Sequence, residues 1–322
     1  VTRTEQRHDG GMMDSCQPDG LWIKGFSSFV GVAMASVLDS PVADRRFLLN
    51  VSRADVVQAP YPHVISDAIL PPDLFARLKA EYPDASMFAD QQQTHGTTGS
   101  RTGAGLDVYR GDSSYAVLMQ RSPAWREFDG FINSQAFIDQ FLDLFGPDLE
   151  ALGCSADIAA STYDRSYEEP RELLTEHATL KDRLDMAVHK VTRSMLTGRK
   201  VELFTRLDIQ RAIGGYAKAP HCDRPNRLCS LIIYFTDAEA SGLEGGELLV
   251  YRHKQDKPMH RYERHPRPDD VEIVARLKPK PNLGVFFPCS NNSYHGVTAV
   301  TSSGIPRDFL YINISAKVGN VW

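Results

Sequence analysis

Residues 201–223 read VELFTRLDIQRAIGGYAKAPHCD, and the two halves of this stretch decide the kind of fold the chain can adopt. The first half alternates. Leu203, Thr205, Leu207 and Ile209 fall on one side of a two-residue period, and Phe204, Arg206, Asp208 and Gln210 on the other. That period is the mark of a β-strand, whose successive side chains point to opposite faces. Gly214-Gly215 interrupts the strand, and Pro220 sets extended backbone or a strand-end bulge just before His221-Cys222-Asp223. In extended backbone, residues i and i+2 face the same way, so His221 and Asp223 are expected to point together, with Cys222 turned away.

Downstream, residues 228–235, 246–251, 271–277, 282–288, 295–300 and 309–315 are further strand candidates. Turn-forming clusters such as Asp223-Arg224-Pro225-Asn226 and Pro279-Lys280-Pro281-Asn282 separate them. Seven or eight strands in so short a region predict a closed or double-sheet β structure of jelly-roll, cupin-like type. Upstream the pattern differs. A short strand is expected at 63–67, and Pro71-Pro72-Asp73 opens a helix with Leu74, Leu78 and Tyr82 at helical spacing. Residues 91–111, rich in Gln, Thr and Gly, read as a long loop. Residues 125–145 suit two short helices broken near Asn133-Ser134, and 173–196 suit another amphipathic helix. The expected fold class is therefore α+β with a mainly β core flanked by N-terminal helices. Residues 1–55 form an N-terminal extension, 56–200 a mostly helical flanking region packed on the core, and 201–322 the β core, all within one integrated domain.

Composition narrows the function. A net charge of -5 over 322 residues argues against a general nucleic-acid binder, which would be basic. Cys16, Cys154, Cys222, Cys229 and Cys289 form no CxxC pair, which argues against a zinc ribbon or a disulfide framework and favours a reducing, cytoplasmic setting. The apolar run at 21–38 carries Lys24, is broken by Gly and Ser, and is short for a bilayer. It reads as a partly buried helix, so no membrane partner is expected, and no feature specifies an oligomer. There is no GxSxG, P-loop or HExxH motif, and the glycine-rich stretch 99–105 lacks the strand-then-helix setting of a dinucleotide site.

His-x-Asp is a common tripeptide, but here it is joined by His295 and Arg307. Two imidazoles and one carboxylate can occupy one face of a ferrous ion and leave the other open for a co-substrate and dioxygen. An arginine fork can then hold the far carboxylate of 2-oxoglutarate through paired, charge-assisted hydrogen bonds. Each of the four residues falls at the end or start of an expected strand, and this agreement between levels is what argues for a site.

Several stretches together resemble the double-stranded β-helix core of the Fe(II)/2-oxoglutarate-dependent dioxygenases, in the prolyl-hydroxylase-like branch. They are Gly214-Gly215-Tyr216 running into Pro220-His221-Cys222-Asp223, RLCSLIIYF at 227–235, Gly245-Gly246-Glu247-Leu248, NLGVFFP at 282–288, Ser293-Tyr294-His295-Gly296-Val297, and Arg307. The resemblance implies His221, Asp223 and His295 as catalytic iron ligands, Arg307 as partner of the C5 carboxylate of 2-oxoglutarate, and O2 as co-substrate. It places Tyr234 where a hydroxyl shares that carboxylate; the alternative is an aromatic packed in the core. Two departures weigh against a prolyl or collagen-like substrate. Lys218 stands where several relatives carry a tyrosine, and the carboxylate partner is an arginine where some peptidyl hydroxylases use lysine. An aspartate at 223 fills the position that related halogenases leave open for chloride. The resemblance thus implies hydroxylation of an unactivated C–H bond with release of succinate and CO2. Desaturation, epoxidation or cyclisation would need only another substrate pose.

The substrate is expected to be a small polar metabolite or biosynthetic intermediate, anionic or carrier-bound. The alternatives are a protein side chain with the same chemistry, or a non-catalytic jelly-roll metal-binding protein. Arg206, Asp208 and Gln210 either line the barrel or are solvated while Leu203, Leu207 and Ile209 face inward. Arg224, Asn226 and Arg227 either contact an anion at the mouth or form a hydrated turn. The basic segment 253–267, with Lys254, Lys257, Arg261, Arg264 and Arg267, is either a lid or a solvated loop. The loop at 91–111, with Arg101 and Arg110, is a second lid candidate.

Overall fold

A computed structural model of the chain describes residues 48–88, 105–169 and 198–322. All of these belong to the unit Arg45–Trp322. The apolar run at 21–38, the helix expected over 173–196 and most of the loop expected at 91–111 lie outside the described residues.

Along the chain the strands are β1 (Val64–Ser66), β2 (Gly105–Tyr109), β3 (Thr162–Tyr163), β4 (Glu202–Ala212), β5 (Lys218–His221), β6 (Arg227–Tyr234), β7 (Leu248–His253), β8 (Val271–Leu277), β9 (Gly284–Pro288), β10 (His295–Val297) and β11 (Arg307–Ala316). One sheet runs β1-β9-β6-β11-β4-β2, antiparallel throughout, with β3 added in parallel against β4. A smaller antiparallel sheet runs β5-β10-β7-β8. The helices of the first half include α1 (Pro72–Ala80), α2 (Ser113–Arg121), α3 (Pro123–Ile132) and α4 (Gln135–Phe145). Each begins where the local chemistry favours it. Pro72 and Pro123 occupy first-turn positions where a missing N–H costs nothing, and the Ser122 side chain caps α3 by accepting from the Trp125 amide at 3.0 Å. The break expected near Asn133-Ser134 is where α3 hands over to α4.

The large sheet buries both of its faces, and the alternation of each strand sorts its residues between them. Leu203, Leu207 and Ile209 of β4, Leu231 and Ile233 of β6, Phe286 of β9, and Leu310, Ile312 and Ile314 of β11 join the core shared with α1–α4. The opposite residues, Ile232 and Tyr234, Val285 and Phe287, and Phe309, pack with Leu248, Val250 and Val297 of the small sheet. Phe286 is the centre of the helical contact. Its ring stacks on Phe137 at 6.0 Å and 10°, and meets Phe145 edge-on at 5.3 Å.

Two expectations change here. The either/or posed for β4 is resolved by a sheet covered on both sides: Leu203, Leu207 and Ile209 are buried under helices, and Arg206 and Asp208 are buried on the other face. Alternation of polar and apolar residues signals one wet face only when that face meets solvent. Residues 105–109, assigned to a loop by composition, form β2. They pair with β4 from Gly105↔Ala212 to Tyr109↔Asp208 and bury Val108 completely. Hydrogen bonds to a long neighbouring strand override the weak strand preference of a short, glycine-led segment. Among the described residues no helix is long and apolar enough to cross a membrane.

Phe286 is fully buried. Phe286→Ala is expected to lower unfolding stability by about 3–5 kcal/mol in urea denaturation, the usual cost of emptying an aromatic site in a packed core. A loss below about 1 kcal/mol would mean that the helices do not depend on this contact.

Candidate active site

β5 and β10 are antiparallel neighbours, and their register sets His221 directly opposite His295. The two rings lie 4.4 Å apart. Asp223 follows β5 by two residues, and its Oδ2 stands 3.8 Å from His295 Nε2. One donor atom from each of His221, Asp223 and His295 falls within 4.8 Å of the others, the only such His/Cys/Asp/Glu group among the described residues. Each imidazole is oriented from behind in the same way. His221 Nδ1 lies 2.8 Å from the Ala219 carbonyl, and His295 Nδ1 lies 3.1 Å from the Ser293 carbonyl. A carbonyl can only accept, so each Nδ1 carries the proton and each Nε2 keeps a lone pair for a metal.

The carboxylate is held more tightly still. Asp223 Oδ1 accepts from Arg227 Nη1 at 3.0 Å and from the Tyr311 hydroxyl at 2.9 Å. Oδ2 accepts from Ser230 Oγ at 2.7 Å and from Cys289 Sγ at 3.3 Å. Arg227 Nη1 also donates to the Tyr311 hydroxyl at 2.8 Å, and Asn313 Nδ2 donates to Ser230 Oγ at 2.9 Å. Burial alone would raise the Asp223 carboxyl, but the Arg227 guanidinium, both imidazoles and the Ser230 hydroxyl hold it well below the usual range. Burial, helped by the neighbouring His295, pushes His221 down to about 3. His221 is only partly buried and lines the cavity. At neutral pH the pair Asp223 and His221 is thus an anion beside a neutral imidazole, the donor chemistry that a divalent cation requires.

Arg307 opens β11, faces the same cavity and is 1% exposed. Its Nε donates to the Gly246 carbonyl at 2.7 Å and its Nη2 to the Tyr234 hydroxyl at 2.8 Å. The guanidinium lies 4.2 Å from the centre of the Phe309 ring. Its seat needs a glycine. Gly246 has φ +72°, and a Cβ there would come within 2.7 Å of Arg307 Cδ. The remaining nitrogen, Nη1, is buried without a hydrogen-bond partner. An arginine anchored on one side and unsatisfied on the other suits a carboxylate ligand. The residues present therefore fit both an iron ion and 2-oxoglutarate.

The same cavity is lined by Arg206, Asp208, Gln210, Lys218, Arg224 and Arg264. Arg206 Nε donates to Asp208 Oδ1 at 2.6 Å, and its guanidinium covers the Tyr109 ring at 4.1 Å. Arg227, a candidate for the substrate, also lines this cavity, and its Nη1 donates to Asp223 and to the Tyr311 hydroxyl. Lys257, in the basic segment considered as a lid, is buried and donates to the Asn291 carbonyl at 3.0 Å, which ties the segment to the turn before β10. Sequence reasoning passed over Tyr311, Ser230 and Cys289. A signal was available: strand alternation puts Arg307, Phe309 and Tyr311 on one face of β11, and Ser230, Ile232 and Tyr234 on one face of β6.

Residues 207–314 match the family model described as the 2OG-Fe(II) oxygenase superfamily, a segment running from β4 to β11. Among solved structures, the chain is similar to a prolyl-4-hydroxylase from Pseudomonas putida, with 13% identity over 79% of this chain and 91% of that one and a TM-score of 0.39. It is similar to a prolyl hydroxylase from Trichoplax adhaerens in complex with a hypoxia inducible factor oxygen degradation domain peptide fragment, with 9% identity over 79% and 83% and a TM-score of 0.38. It is also similar to the non-heme alpha ketoglutarate dependent epimerase SnoN from nogalamycin biosynthesis, with 12% identity over 79% and 76% and a TM-score of 0.38. No curated protein matches the chain.

The protonation pattern predicts a pH dependence of the metal-free chain. An unfolded histidine takes a proton near pH 6.5, whereas folded His221 resists until about 3. Between these values the unfolded state binds more protons, so stability falls as the pH drops through this window. Asp223 acts lower: its contribution is present above about pH 4 and lost beneath it. Denaturation midpoints measured with chelator present should decline from pH 6.5 downward, and His221→Gln should flatten the part above pH 4. An unchanged slope in the variant would remove His221 from this role.

Proposed function

We propose that this 2OG-Fe(II) oxygenase hydroxylates an unactivated C–H bond of a small polar, anionic metabolite or biosynthetic intermediate. The match of residues 207–314 to the 2OG-Fe(II) oxygenase superfamily supports Fe(II), 2-oxoglutarate and O2 as what the site uses. In the same reading the two sheets are the halves of a double-stranded β-helix, with β5 and β10 at its mouth. The observation that carries it is the pairing of a converging His221–Asp223–His295 set with an anchored Arg307 whose Nη1 is unsatisfied, all on one cavity.

His221, Asp223 and His295 would hold the ion, which supplies activation of dioxygen and oxidation of the C–H bond when bound. The chain's own residues supply position and charge. Carbonyls of Ala219 and Ser293 fix the imidazole tautomers. Arg227, Tyr311, Ser230 and Cys289 together occupy both oxygens of Asp223 and restrict how it can swing. Arg307 and the Tyr234 hydroxyl would receive the C5 carboxylate of 2-oxoglutarate. The walls formed by Ile232, Leu248, Val297 and Phe309 keep water from the buried side of the site. Asp223 would hold the ion at the position a halide would need, which supports hydroxylation of the substrate over halogenation.

Arg307→Ala is expected to raise the 2-oxoglutarate concentration needed for half-maximal succinate release by about 10- to 150-fold, the loss of hydrogen bonds to a charged group. His221→Ala should abolish succinate release. An unchanged requirement in the first variant, or turnover in the second, would contradict these roles. Arg227→Gln should weaken metal binding by roughly 10- to 100-fold, as loss of a partner behind a ligand does. At saturating metal its 2-oxoglutarate requirement should stay near the wild-type value; a shift there would place Arg227 on the co-substrate.

A further inference from the structure

The turn that leads from Asp223 into β6 is braced from behind by the end of β11 and the chain that follows it. Three consecutive carbonyls, of Pro225, Asn226 and Arg227, each receive a donor from residues 316–322. The Val321 amide donates to the Pro225 carbonyl at 2.8 Å, and the Ala316 amide to the Asn226 carbonyl at 2.9 Å. The Trp322 indole Nε1 donates to the Arg227 carbonyl at 2.6 Å. Asn226 Nδ2 returns a bond to the Ala316 carbonyl at 3.3 Å. The turn also closes on itself, from the Arg227 amide to the Arg224 carbonyl at 3.0 Å, but Pro225 within it has no N–H to give. Carbonyls that leave water need donors from elsewhere, and here they come from one stretch of chain.

The brace is itself fixed. Val321 is fully buried and Trp322 is 2% exposed, both in the core shared with the helices. The Val321 carbonyl accepts from the Ser155 amide at 2.7 Å and from Ser155 Oγ at 3.1 Å, and the Trp322 amide donates to Asn320 Oδ1 at 2.8 Å. A buried indole N–H requires an acceptor, and the one it finds is the backbone of Arg227. At its other end Arg227 meets the candidate metal centre. Its Nη1 donates to Asp223 Oδ1 at 3.0 Å and to the Tyr311 hydroxyl at 2.8 Å, and its guanidinium lies 5.2 Å from the centre of the Tyr311 ring.

We propose that Trp322 is a positioning residue for the metal centre: its indole N–H fixes the Arg227 backbone, and Arg227 in turn fixes the Asp223 carboxylate. The inference rests on the oxygenase reading above and adds to it a residue outside the cavity that tunes metal affinity. The relay acts on Asp223, since His221 and His295 take their places from the pairing of β5 with β10. Groups behind a ligand restrict its orientation, so loosening them costs affinity without removing a ligand. A tryptophan that only fills the core matters by its volume. One that positions Arg227 matters by its N–H.

The test replaces Trp322 by benzothienylalanine, which keeps the ring shape and puts sulfur where the N–H stood, and compares this chain with Trp322→Phe. Mn(II) binding to the full chain is followed by electron paramagnetic resonance. Both replacements should weaken Mn(II) binding by about fivefold, the worth of one hydrogen bond. At saturating Mn(II), the affinity for 2-oxoglutarate should stay at the wild-type value. In an Arg227→Gln background the benzothienylalanine replacement should shift Mn(II) affinity by less than about twofold, because the relay is already cut. Unchanged Mn(II) affinity in the benzothienylalanine chain would overturn the proposal, and so would a loss that adds in full to that of Arg227→Gln. A wild-type chain that binds neither Mn(II) nor 2-oxoglutarate would overturn the metal centre together with the relay. Wild-type binding of both, beside an unaffected benzothienylalanine chain, would overturn the relay alone.

Discussion

The structure turns on a matter of register. His221 and His295 are placed opposite each other by antiparallel pairing of two short strands, and no covalent link or helix enforces it. A slip of one residue would reverse every side chain of β5 and send the imidazole away from the cavity. The pairing is held on both sides. β10 also pairs with β7 at His295↔Val250, and β7 pairs with β8, so the register is carried into a four-stranded sheet. Gly296, next to His295, allows the close approach: a Cβ there would meet the Lys218 carbonyl at 2.9 Å.

Around this pairing, several buried charges have a counterpart of opposite sign. Asp223 has Arg227, Arg206 has Asp208, and Arg211 has Asp308. Such pairs cost desolvation and contribute little net stability, but removing one member strands the other in a low dielectric. Position is what they provide. Burial raises the Asp208 carboxyl to about 6 despite Arg206, with Asp107 adding to the rise, whereas Asp223 stays ionised because several donors converge on it. Two carboxylates lining one cavity therefore differ in charge behaviour through the charges and donors around each.

Much of this was legible in the sequence where local pattern and chemistry coincide. Pro220 before His221, alternation through β4, and glycine-rich or proline-rich breaks between strands mark the sheets, and the break at Asn133-Ser134 marks the helix pair. The rest was hidden for physical reasons. Both faces of β4 are buried, so its alternation could not say which side met the cavity. β2 owes its form to pairing with β4, which no local preference reveals. The hydrogen bonds of Tyr311 and Cys289 to Asp223 join residues far apart in sequence, and Glu169 meets Arg206 and Arg224 across different elements. The bonds of Arg227 Nη1 to Asp223 and Tyr311 are of the same tertiary kind and leave no mark in local sequence.

The central claim is that His221, Asp223 and His295 gather one ferrous ion while Arg307 grips 2-oxoglutarate beside it. It is tested most directly by adding 2-oxoglutarate, without oxygen, to the chain loaded with Fe(II) and following visible absorption. The account predicts a charge-transfer band that grows with 2-oxoglutarate in the wild-type chain and fails to form in Asp223→Ala. A wild-type chain that binds neither the ion nor the keto acid, and so shows no band at any concentration, would contradict it.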